Sequence, residues 1–186
     1  AFGDSGNGYH ASIMKYETGI WDLVGSGTFA LPSNYAAAFD FDSNFVAYAA
    51  IEDMDYGATV MKFTGTSWAL LGPVGFSGSY INDMSIIIDN NEVPIVAYED
   101  FSNNHKAIAR KFNGTNWDVI CPAGISGSGT DRSSIYIDPS NTPYLCYMNE
   151  NQKSTVKKLI GNNWVNVGME GFSAGKIDYP SLSFDN

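Results

Sequence analysis

One short stretch of the chain has the spacing of a catalytic serine motif. Residues 171–175, GFSAG, match the Gly-x-Ser-x-Gly elbow, in which a sharp turn from a strand into a helix exposes a nucleophilic serine. No helical pattern follows this stretch, and two relatives of it, GFSGS and GISGS, occur earlier in the chain. The two histidines, His10 and His105, lie far from Ser173 in the repeat described below, so a Ser-His-Asp triad is not indicated. We interpret the motif as a repeated loop and assign no catalytic residue.

Acidic side chains are the second group that could do chemistry. The chain has 20 acidic and 10 basic residues, a net charge of −10, so a nucleic acid would be repelled and is not an expected partner. A sialidase needs a cluster of arginines to bind its substrate carboxylate, and the chain has only Arg110 and Arg132. A pair of carboxylates is sufficient for other glycoside hydrolases. A hydrolase or lyase of that kind therefore stays open as an alternative function.

Two acidic loops raise the question of a bound cation. Residues 40–44, DFDSN, have the alternating oxygens of a calcium loop, but the sixth position is Phe45 instead of Gly and the twelfth is Ile51 instead of Glu. A plain turn between two strands is favoured there. In the second loop, EDMDYG, Asp53 and Asp55 are secondary candidates for a weak Ca²⁺ site. No other cofactor is expected.

Four tryptophans mark an internal repeat. Trp21, Trp68, Trp117 and Trp164 are separated by 47, 49 and 47 residues, a period typical of a propeller or a solenoid. A stretch of alternating residues and a Gly-containing turn precede each Trp, and WDLVG, WALLG, WDVIC or WVNVG begins at it. This pattern predicts a hairpin in every copy. Because the four Trp residues occupy one equivalent position, we expect each to pack between neighbouring repeats.

Each repeat contains a second hairpin as well. After a Gly/Ser-rich connection comes a short strand ending in Asp, as in SIIID and SIYID, then a turn such as DNNEV or DPSNT, then a strand such as PIVAYED. The unit therefore has four strand positions, which we label A (before the Asp), B, C and D (from the Trp). Charged residues are only 16% of the chain and Gly is frequent, which agrees with an all-β fold.

The two ends of the chain predict how the units are arranged. The first 21 residues align without a gap on residues 97–117, so the chain begins in a B strand, and it ends after the A strand SLSFD. We therefore predict a single domain, residues 1–186, that folds as a four-bladed β-propeller closed by pairing the C-terminal strand with the N-terminal strands. A segment of a longer array, or two copies sharing a larger ring, stays open as the alternative. The predicted blades are 33–72, 82–121, 131–168, and 178–186 together with 1–25.

The repeat has a resemblance to known propellers over the whole chain. Its pattern KFNGxxW…VG…GFSxG…SLxxD…PYxxY resembles the degenerate repeats of secreted or surface-anchored bacterial propeller proteins. The repeat length and the recurring Trp and Gly residues are similar to those of sialidase-like, kelch and tachylectin-type propellers. The resemblance implies a scaffold that supports unrelated activities, and an extracellular, periplasmic or cell-surface location.

The candidate binding residues follow from the connectivity of a propeller. The D-to-A and B-to-C connections emerge on one side of the ring, which carries an excess of acidic residues, Glu52 among them. The repeats differ most where each A strand begins, so a ring of unlike polar groups would surround the channel mouth. We expect a non-catalytic module that binds a glycan or a protein partner here, or, as a third reading, a structural segment of a larger surface protein. The candidate residues are Asn34, Asn82, Asp83, Asp131, Arg132, Asp178 and Tyr179 at the mouth, with Asp4, Glu99 and Asp100 in the adjoining loops.

The sequence indicates neither a disulfide nor a membrane helix. The two cysteines, Cys121 and Cys146, fall in different predicted blades, so two free thiols are favoured over a disulfide. No apolar stretch approaches the roughly 20 residues of a membrane helix, and we expect no membrane insertion.

Overall fold

The computed structural model describes residues 2–4, 10–25, 33–53, 57–121, 124–127, 129 and 131–185, and at 2–4, 10, 11, 33–37, 53 and 131 it describes the backbone alone. This part of the chain contains no α-helix and one 3₁₀ turn, Phe101–Asn103. The strands are β1 (Phe2–Asp4), β2 (His10–Ser12), β3 (Met14–Glu17), β4 (Ile20–Leu23), β5 (Ser33–Phe41), β6 (Ala47–Asp53), β7 (Gly57–Phe63), β8 (Trp68–Leu70), β9 (Ile81–Ile88), β10 (Pro94–Asp100), β11 (Lys106–Phe112), β12 (Trp117–Val119), β13 (Asp131–Ile137), β14 (Pro143–Met148), β15 (Ser154–Ile160) and β16 (Asn163–Asn166).

The strands form antiparallel sheets whose order follows the sequence. Strands β5 to β8, β9 to β12 and β13 to β16 form three four-stranded sheets, here named blades one, two and three. Ahead of them, β1 pairs with β2 and β3 pairs with β4, and we name β1 to β4 the N-terminal unit. Since β2 and β3 are separated by Ile13 alone, the unit supplies the B, C and D positions of one blade. The all-β, blade-like architecture predicted from the repeat is confirmed.

The turn after each A strand is built by one aspartate. Asp42 Oδ1 accepts hydrogen bonds from the backbone N–H groups of Asn44, at 3.0 Å, and Val46, at 2.9 Å. Asp89 makes the same pair of bonds in blade two, to Asn91 and Val93. An Asp side chain can satisfy a turn's own backbone in this way, which is why the turn recurs with the repeat. Asp42 Oδ1 in the DFDSN stretch therefore makes the hydrogen bonds of a turn, as expected for a plain turn between two strands.

The hydrophobic core lies between the blades. In blade two, Ile86 and Tyr98 pack toward blade one, whereas Ile87 and Ala97 pack toward blade three. Both faces of β9 and β10 are therefore buried, which explains their continuous apolar runs. Burial of one large side chain such as Tyr98 contributes roughly 1.5–3 kcal/mol. A smaller cluster around Ile13 joins the N-terminal unit to blade one in the same way.

A tryptophan and a glycine define the contact between successive blades. Trp117 Nε1 of blade two donates a hydrogen bond to the Leu71 carbonyl of blade one at 3.0 Å, and Trp68 Nε1 donates to the Val24 carbonyl at 2.9 Å. The residue after each carbonyl is glycine, and a Cβ placed on Gly72 would lie 3.0 Å from Trp117 Nε1. Glycine therefore allows the indole to approach the backbone of the preceding blade. The expected packing of tryptophan between repeats is present at both positions.

The serine of the repeated loop has a structural role. Ser126 Oγ accepts a hydrogen bond from the Ala107 N–H at the start of β11, at 2.9 Å, and donates to the Gly127 carbonyl. Ser173 stands in the equivalent place, accepting from the Ser154 N–H at 3.1 Å and donating to the Gly175 carbonyl. The GFSAG stretch therefore satisfies the first backbone donor of a C strand.

Ring closure through the C-terminal strand is not seen. Residues 178–185 form no strand and pair with none of the described strands, although Phe184 packs edge-to-face on Tyr144 of blade three, with ring centroids 4.9 Å apart. Within the described part of the chain, the A position of the N-terminal unit is therefore unfilled. The predicted four-bladed ring stays a prediction.

Neither Cys121 nor Cys146 takes part in a disulfide, and burial raises the pKa of the Cys146 thiol. None of the helical segments among the described residues has the length and apolar character needed to cross a membrane.

We expect Trp117→Phe to destabilise the protein more than Trp164→Phe. Both changes remove the same atoms, but Trp117 loses its bond to Leu71, whereas buried Trp164 Nε1 finds no hydrogen-bond acceptor within the described residues. Because an unpaired buried donor is itself unfavourable, the two costs should differ by about 1–2 kcal/mol. Urea unfolding followed by circular dichroism measures the difference. Equal losses of stability in the two variants would show that the indole bond does not hold the blades.

Candidate functional site

The strands next to the channel mouth begin with a bulge and a left-handed residue. The pairing of β9 with β10 shifts register between Ala97 and Glu99, and β13 pairs with β14 through a similar shift. Within these bulges Asp83 has φ 50° and Arg132 has φ 57°, and Tyr179 has φ 48° at the equivalent place ahead of SLSFD. Bulges with such a residue redirect a side chain out of the strand pattern. Three equivalent positions therefore present an aspartate, an arginine and a tyrosine.

Asp83 links two blades at this point. Its Oδ2 accepts a hydrogen bond from the backbone N–H of Arg132 at 3.0 Å, and Ser85 Oγ accepts one from the Ile135 N–H at 3.0 Å. Between these strands lies a cavity of about 240 Å³, lined by Asp83, Met84, Ser85, Arg132, Ser133, Ser134, Tyr179 and Pro180. Hydroxyl, carboxylate and aromatic groups therefore converge on one small pocket.

Arg132 organises the outer edge of this pocket. Its guanidinium forms an ion pair with Asp178 and lies over the ring of Tyr179, 4.2 Å from the centroid. A cation over an aromatic face is attracted by the ring quadrupole, so Arg132 helps to hold the tyrosine in place. Tyr179 is nevertheless 73% exposed. A second depression of about 510 Å³ adjoins Arg132, and Lys176 and Gln152 line its other side.

Glu52 is the most perturbed carboxyl near the pocket. Glu52 is the penultimate residue of β6 and is 3% exposed, and its Oε2 finds no hydrogen-bond partner among the described residues. Burial, and secondarily the negative charge of Asp83, raise the pKa of Glu52 to about 7. Desolvation penalises the charged form of an acid, so this group is a neutral proton donor over much of the acidic range.

The corresponding carboxylates of blade two are bound within the protein. Glu99 lies at the position of Glu52 in its blade, and its Oε1 contacts His105 Nδ1 at 2.7 Å. Asp100 Oδ1 accepts hydrogen bonds from the Ser102 N–H, the Ser102 hydroxyl and the Ser79 hydroxyl, all between 2.7 and 2.9 Å. Asp100 therefore stabilises the 3₁₀ turn and its flanking loop.

The structure brings together part of the predicted site. Asp83, Arg132, Asp178 and Tyr179 form one group, and Asn82 precedes it on β9. The side chains of Asp4, Asn34, Asp53 and Asp131 and the whole of Asp55 lie outside the described residues. Within the described part of the chain, no cluster of three or more His, Cys, Asp or Glu side chains is placed to hold a metal ion.

The sequence reasoning left Glu52, Ser85 and Ser133 out of the candidate set. The sequence placed Glu52 on the acidic side of the ring, and its equivalence to the chosen Glu99, IED in blade one matching YED in blade two, was the signal for including it. No sequence motif marked Ser85 or Ser133 as a binding residue. They line the pocket because two A strands lie side by side.

Comparisons with known proteins agree on the fold. No protein-family model matches the chain, and no curated protein matches it. Among solved structures, a fucose lectin from Kordia zhangzhouensis, solved with methyl-fucoside, is 10% identical with a TM-score of 0.50 over 73% of this chain and 99% of the lectin chain. The Aleuria aurantia lectin, solved with Fucα1-6GlcNAc, is 16% identical with a TM-score of 0.60 over 92% and 59%. An ulvan lyase of the PL25 polysaccharide lyases is 14% identical with a TM-score of 0.56 over 87% and 48%.

The chain has a propeller-type fold. It spans about 60% of the Aleuria lectin chain and about half of the lyase chain. Identities this low establish the fold alone, and one propeller scaffold supports different activities. The narrower resemblance to bacterial surface, sialidase-like, kelch and tachylectin-type propellers stays a prediction.

Replacing Glu52 with Gln should remove a pH dependence of stability. The pKa of this carboxyl is raised in the folded protein from 4.5 to about 7, so the folded state binds the proton more tightly than the unfolded state does. The resulting stabilisation is fully present below pH 4.5 and is lost as the pH rises through about 7. Between these pH limits the free energy of unfolding of the wild type should therefore fall by up to about 3 kcal/mol. Glu52→Gln should not show this decrease.

Urea unfolding near pH 5 and near pH 8 measures this difference. Glu170→Gln is the matched control, because Glu170 is exposed and its replacement should leave the pH dependence as it is in the wild type. If Glu52→Gln and wild type lose stability in parallel between the two pH values, Glu52 is ionised in the folded protein.

Proposed function

We propose that this protein is a glycan-binding module whose site lies at the channel mouth between blades two and three. The observation that carries the proposal is the exposed ring of Tyr179, held by Arg132 at the edge of a pocket of about 240 Å³. An aromatic ring offers a flat apolar surface on which the apolar face of a sugar can stack. Fucose lectins among the solved structures with this fold give support from an independent direction.

The polar lining of the pocket suits a sugar. Asp83 offers carboxylate oxygens, and the half-buried hydroxyl of Ser134 can both donate and accept. Small-ligand sites combine apolar contact with a few placed polar groups of this kind. With a net charge of −10 and Arg132 already paired to Asp178, a neutral glycan fits this surface better than an anionic one. We therefore propose a neutral saccharide ligand and an extracellular, periplasmic or cell-surface location.

A carboxylate-based hydrolase or lyase is the second candidate function. The specific observation in its favour is Glu52, whose pKa of about 7 beside Asp83 resembles the proton donor of an acid–base pair. The geometry opposes it, because Glu52 Oε2 is inaccessible to solvent. A general acid must come within hydrogen-bond reach of the group that it protonates. We therefore favour binding without turnover.

Tyr179→Ala should weaken glycan binding by about tenfold or more, which corresponds to at least ~1.4 kcal/mol, because the stacking surface is removed. A glycan array that includes α-L-fucosides and neutral oligosaccharides selects the ligand, and titration calorimetry then compares the variants. Phe45→Ala is the control. Phe45 is an exposed aromatic in the turn after β5, at the opposite end of the strands, so its removal should leave the affinity unchanged.

Arg132→Lys should also weaken binding, since a lysine keeps the charge but loses the planar group that lies over Tyr179. A protein that binds no glycan on the array would overturn the proposed function. Equal affinities for Tyr179→Ala and Phe45→Ala would place the binding site elsewhere.

Incubation of the wild type with the glycan that it binds tests the second candidate as a hydrolase, and incubation with a uronate-containing polysaccharide tests it as a lyase. We expect no new reducing ends and no unsaturated uronate over about pH 5–8, which covers both protonation states of Glu52. Turnover that disappears in Glu52→Gln and Asp83→Asn would replace the binding module with an enzyme. Glu52→Gln removes the proton donor, and Asp83→Asn removes the charge beside it, so each variant tests one member of the acid–base pair.

A further inference from the structure

The contact between successive blades has two complementary halves. One half is an aromatic pair at the start of a blade's outer hairpin, such as Phe112 with Trp117, whose ring centroids are 5.2 Å apart at an interplanar angle of 47°. The other half is the carbonyl and glycine of the preceding blade, here Leu71 and Gly72. The same two halves meet where Phe63 and Trp68 pack against Gly25.

The N-terminal unit presents an aromatic half that none of the described residues covers. Tyr16 and Trp21 occupy the equivalent positions, with centroids 5.3 Å apart at 50°, so the pair already has the geometry of the buried pairs. The two rings are nevertheless 62% and 64% exposed. Ile20 and Leu23 on the same hairpin are exposed as well. Large apolar side chains clustered on a surface mark a site of interaction.

Blade three presents the glycine half, also uncovered. Val167 and Gly168 follow Trp164 as Leu71 and Gly72 follow Trp68, yet a Cβ placed on Gly168 would meet no atom within 4 Å. The backbone there borders an apolar cavity of about 360 Å³. Met169, in this cavity, is 73% exposed. The cavity is lined by Tyr144, Val156, Val167, Gly168, Met169, Phe172, Leu182, Ser183 and Phe184.

The strands at the two ends are complementary in the same sense. In blades one to three, the B strand pairs with an A strand on one edge and a C strand on the other. Among the described residues, β1 at the B position pairs only with β2. Residues 178–185 have the sequence of an A strand and rest on blade three without a strand partner. Within the described residues, one edge of β1 is therefore unpaired.

We propose that two copies of this chain associate head to tail, the Tyr16/Trp21 pair of each copy packing on Val167 and Gly168 of the other. The interface repeats the contacts that already join blades one and two, so no new kind of interaction is needed. A head-to-tail interface closes into a ring when the rotation between copies allows it.

The structure favours two copies over closure within one chain. Both halves are exposed at the same time, so the ends of a single chain do not cover each other. The second copy is therefore the occupant that satisfies both ends.

Light scattering behind size exclusion, over a range of protein concentrations, tests the association. We expect a mass of about twice the 20.2 kDa of one chain. Trp21→Glu and Met169→Glu should each give a monomer, because each removes one half of the interface in every copy. Both residues are exposed in the single chain, so both variants should keep the wild-type circular dichroism spectrum. Leu70→Glu, an exposed change on the outer strand of blade one, is the control and should stay dimeric.

Mixing the two monomeric variants separates this interface from any other. The Trp21→Glu copy keeps its glycine half and the Met169→Glu copy keeps its aromatic half, so an equimolar mixture should restore a dimer through one intact contact. A dimer that survives both substitutions would overturn the proposal and place the interface elsewhere. A monomeric wild type would also overturn it. In that case, acrylamide quenching of wild type against Trp21→Phe distinguishes a ring closed within one chain, where Trp21 is shielded, from open ends, where it is quenched.

Discussion

A hydrogen bond from a tryptophan to a backbone carbonyl of the preceding unit joins blade one to the N-terminal unit and blade two to blade one, and the rest of the structure is built on these contacts. A buried indole N–H has to find an acceptor, and Trp68 and Trp117 find it at Val24 and Leu71. The glycine that follows each carbonyl leaves room for the ring, and the stacked or tilted aromatic neighbours fill the remaining space. The N-terminal unit, blade one and blade two are thereby held at a fixed distance and angle, whereas blades two and three are joined by a hydrophobic cluster in which Trp164 has no such bond to any of the described residues.

The candidate site depends on the stacking of blade three on blade two, where Asp83 and Ser85 accept backbone N–H groups of β13. Once the blades are placed, their A strands lie side by side, and the bulges at the start of these strands meet at one end of the sheets. Asp83 accepts the backbone N–H of Arg132, and Arg132 in turn pairs with Asp178 and lies over Tyr179. Each residue of this series is positioned by a neighbouring blade. The pocket therefore depends on the angle between blades more than on any single strand.

The repeat uses one backbone geometry for different chemical groups. Asp83, Arg132 and Tyr179 have nearly equal positive φ angles and equivalent places in their blades, yet they supply an anion, a cation and an aromatic ring. The backbone of the bulge maintains the strand geometry, so the side chain at this position can differ between blades and contact a ligand. The tryptophan and turn aspartate positions differ little between blades, because their roles in packing and in turn formation are the same in each.

The sequence by itself determined the repeat, the strands and their turns. Their physical basis is local: alternation defines a strand, an aspartate satisfies its own turn, and the Trp spacing sets the repeat length. It also predicted that Asp83, Arg132, Asp178 and Tyr179 would lie near one mouth, since they are equivalent in the repeat. Only the tertiary structure decided that Arg132 meets Asp178 and Tyr179, that Glu52 is buried with a raised pKa, and that Trp21 and Gly168 are uncovered. These properties depend on the distance and rotation between blades, which no local pattern encodes.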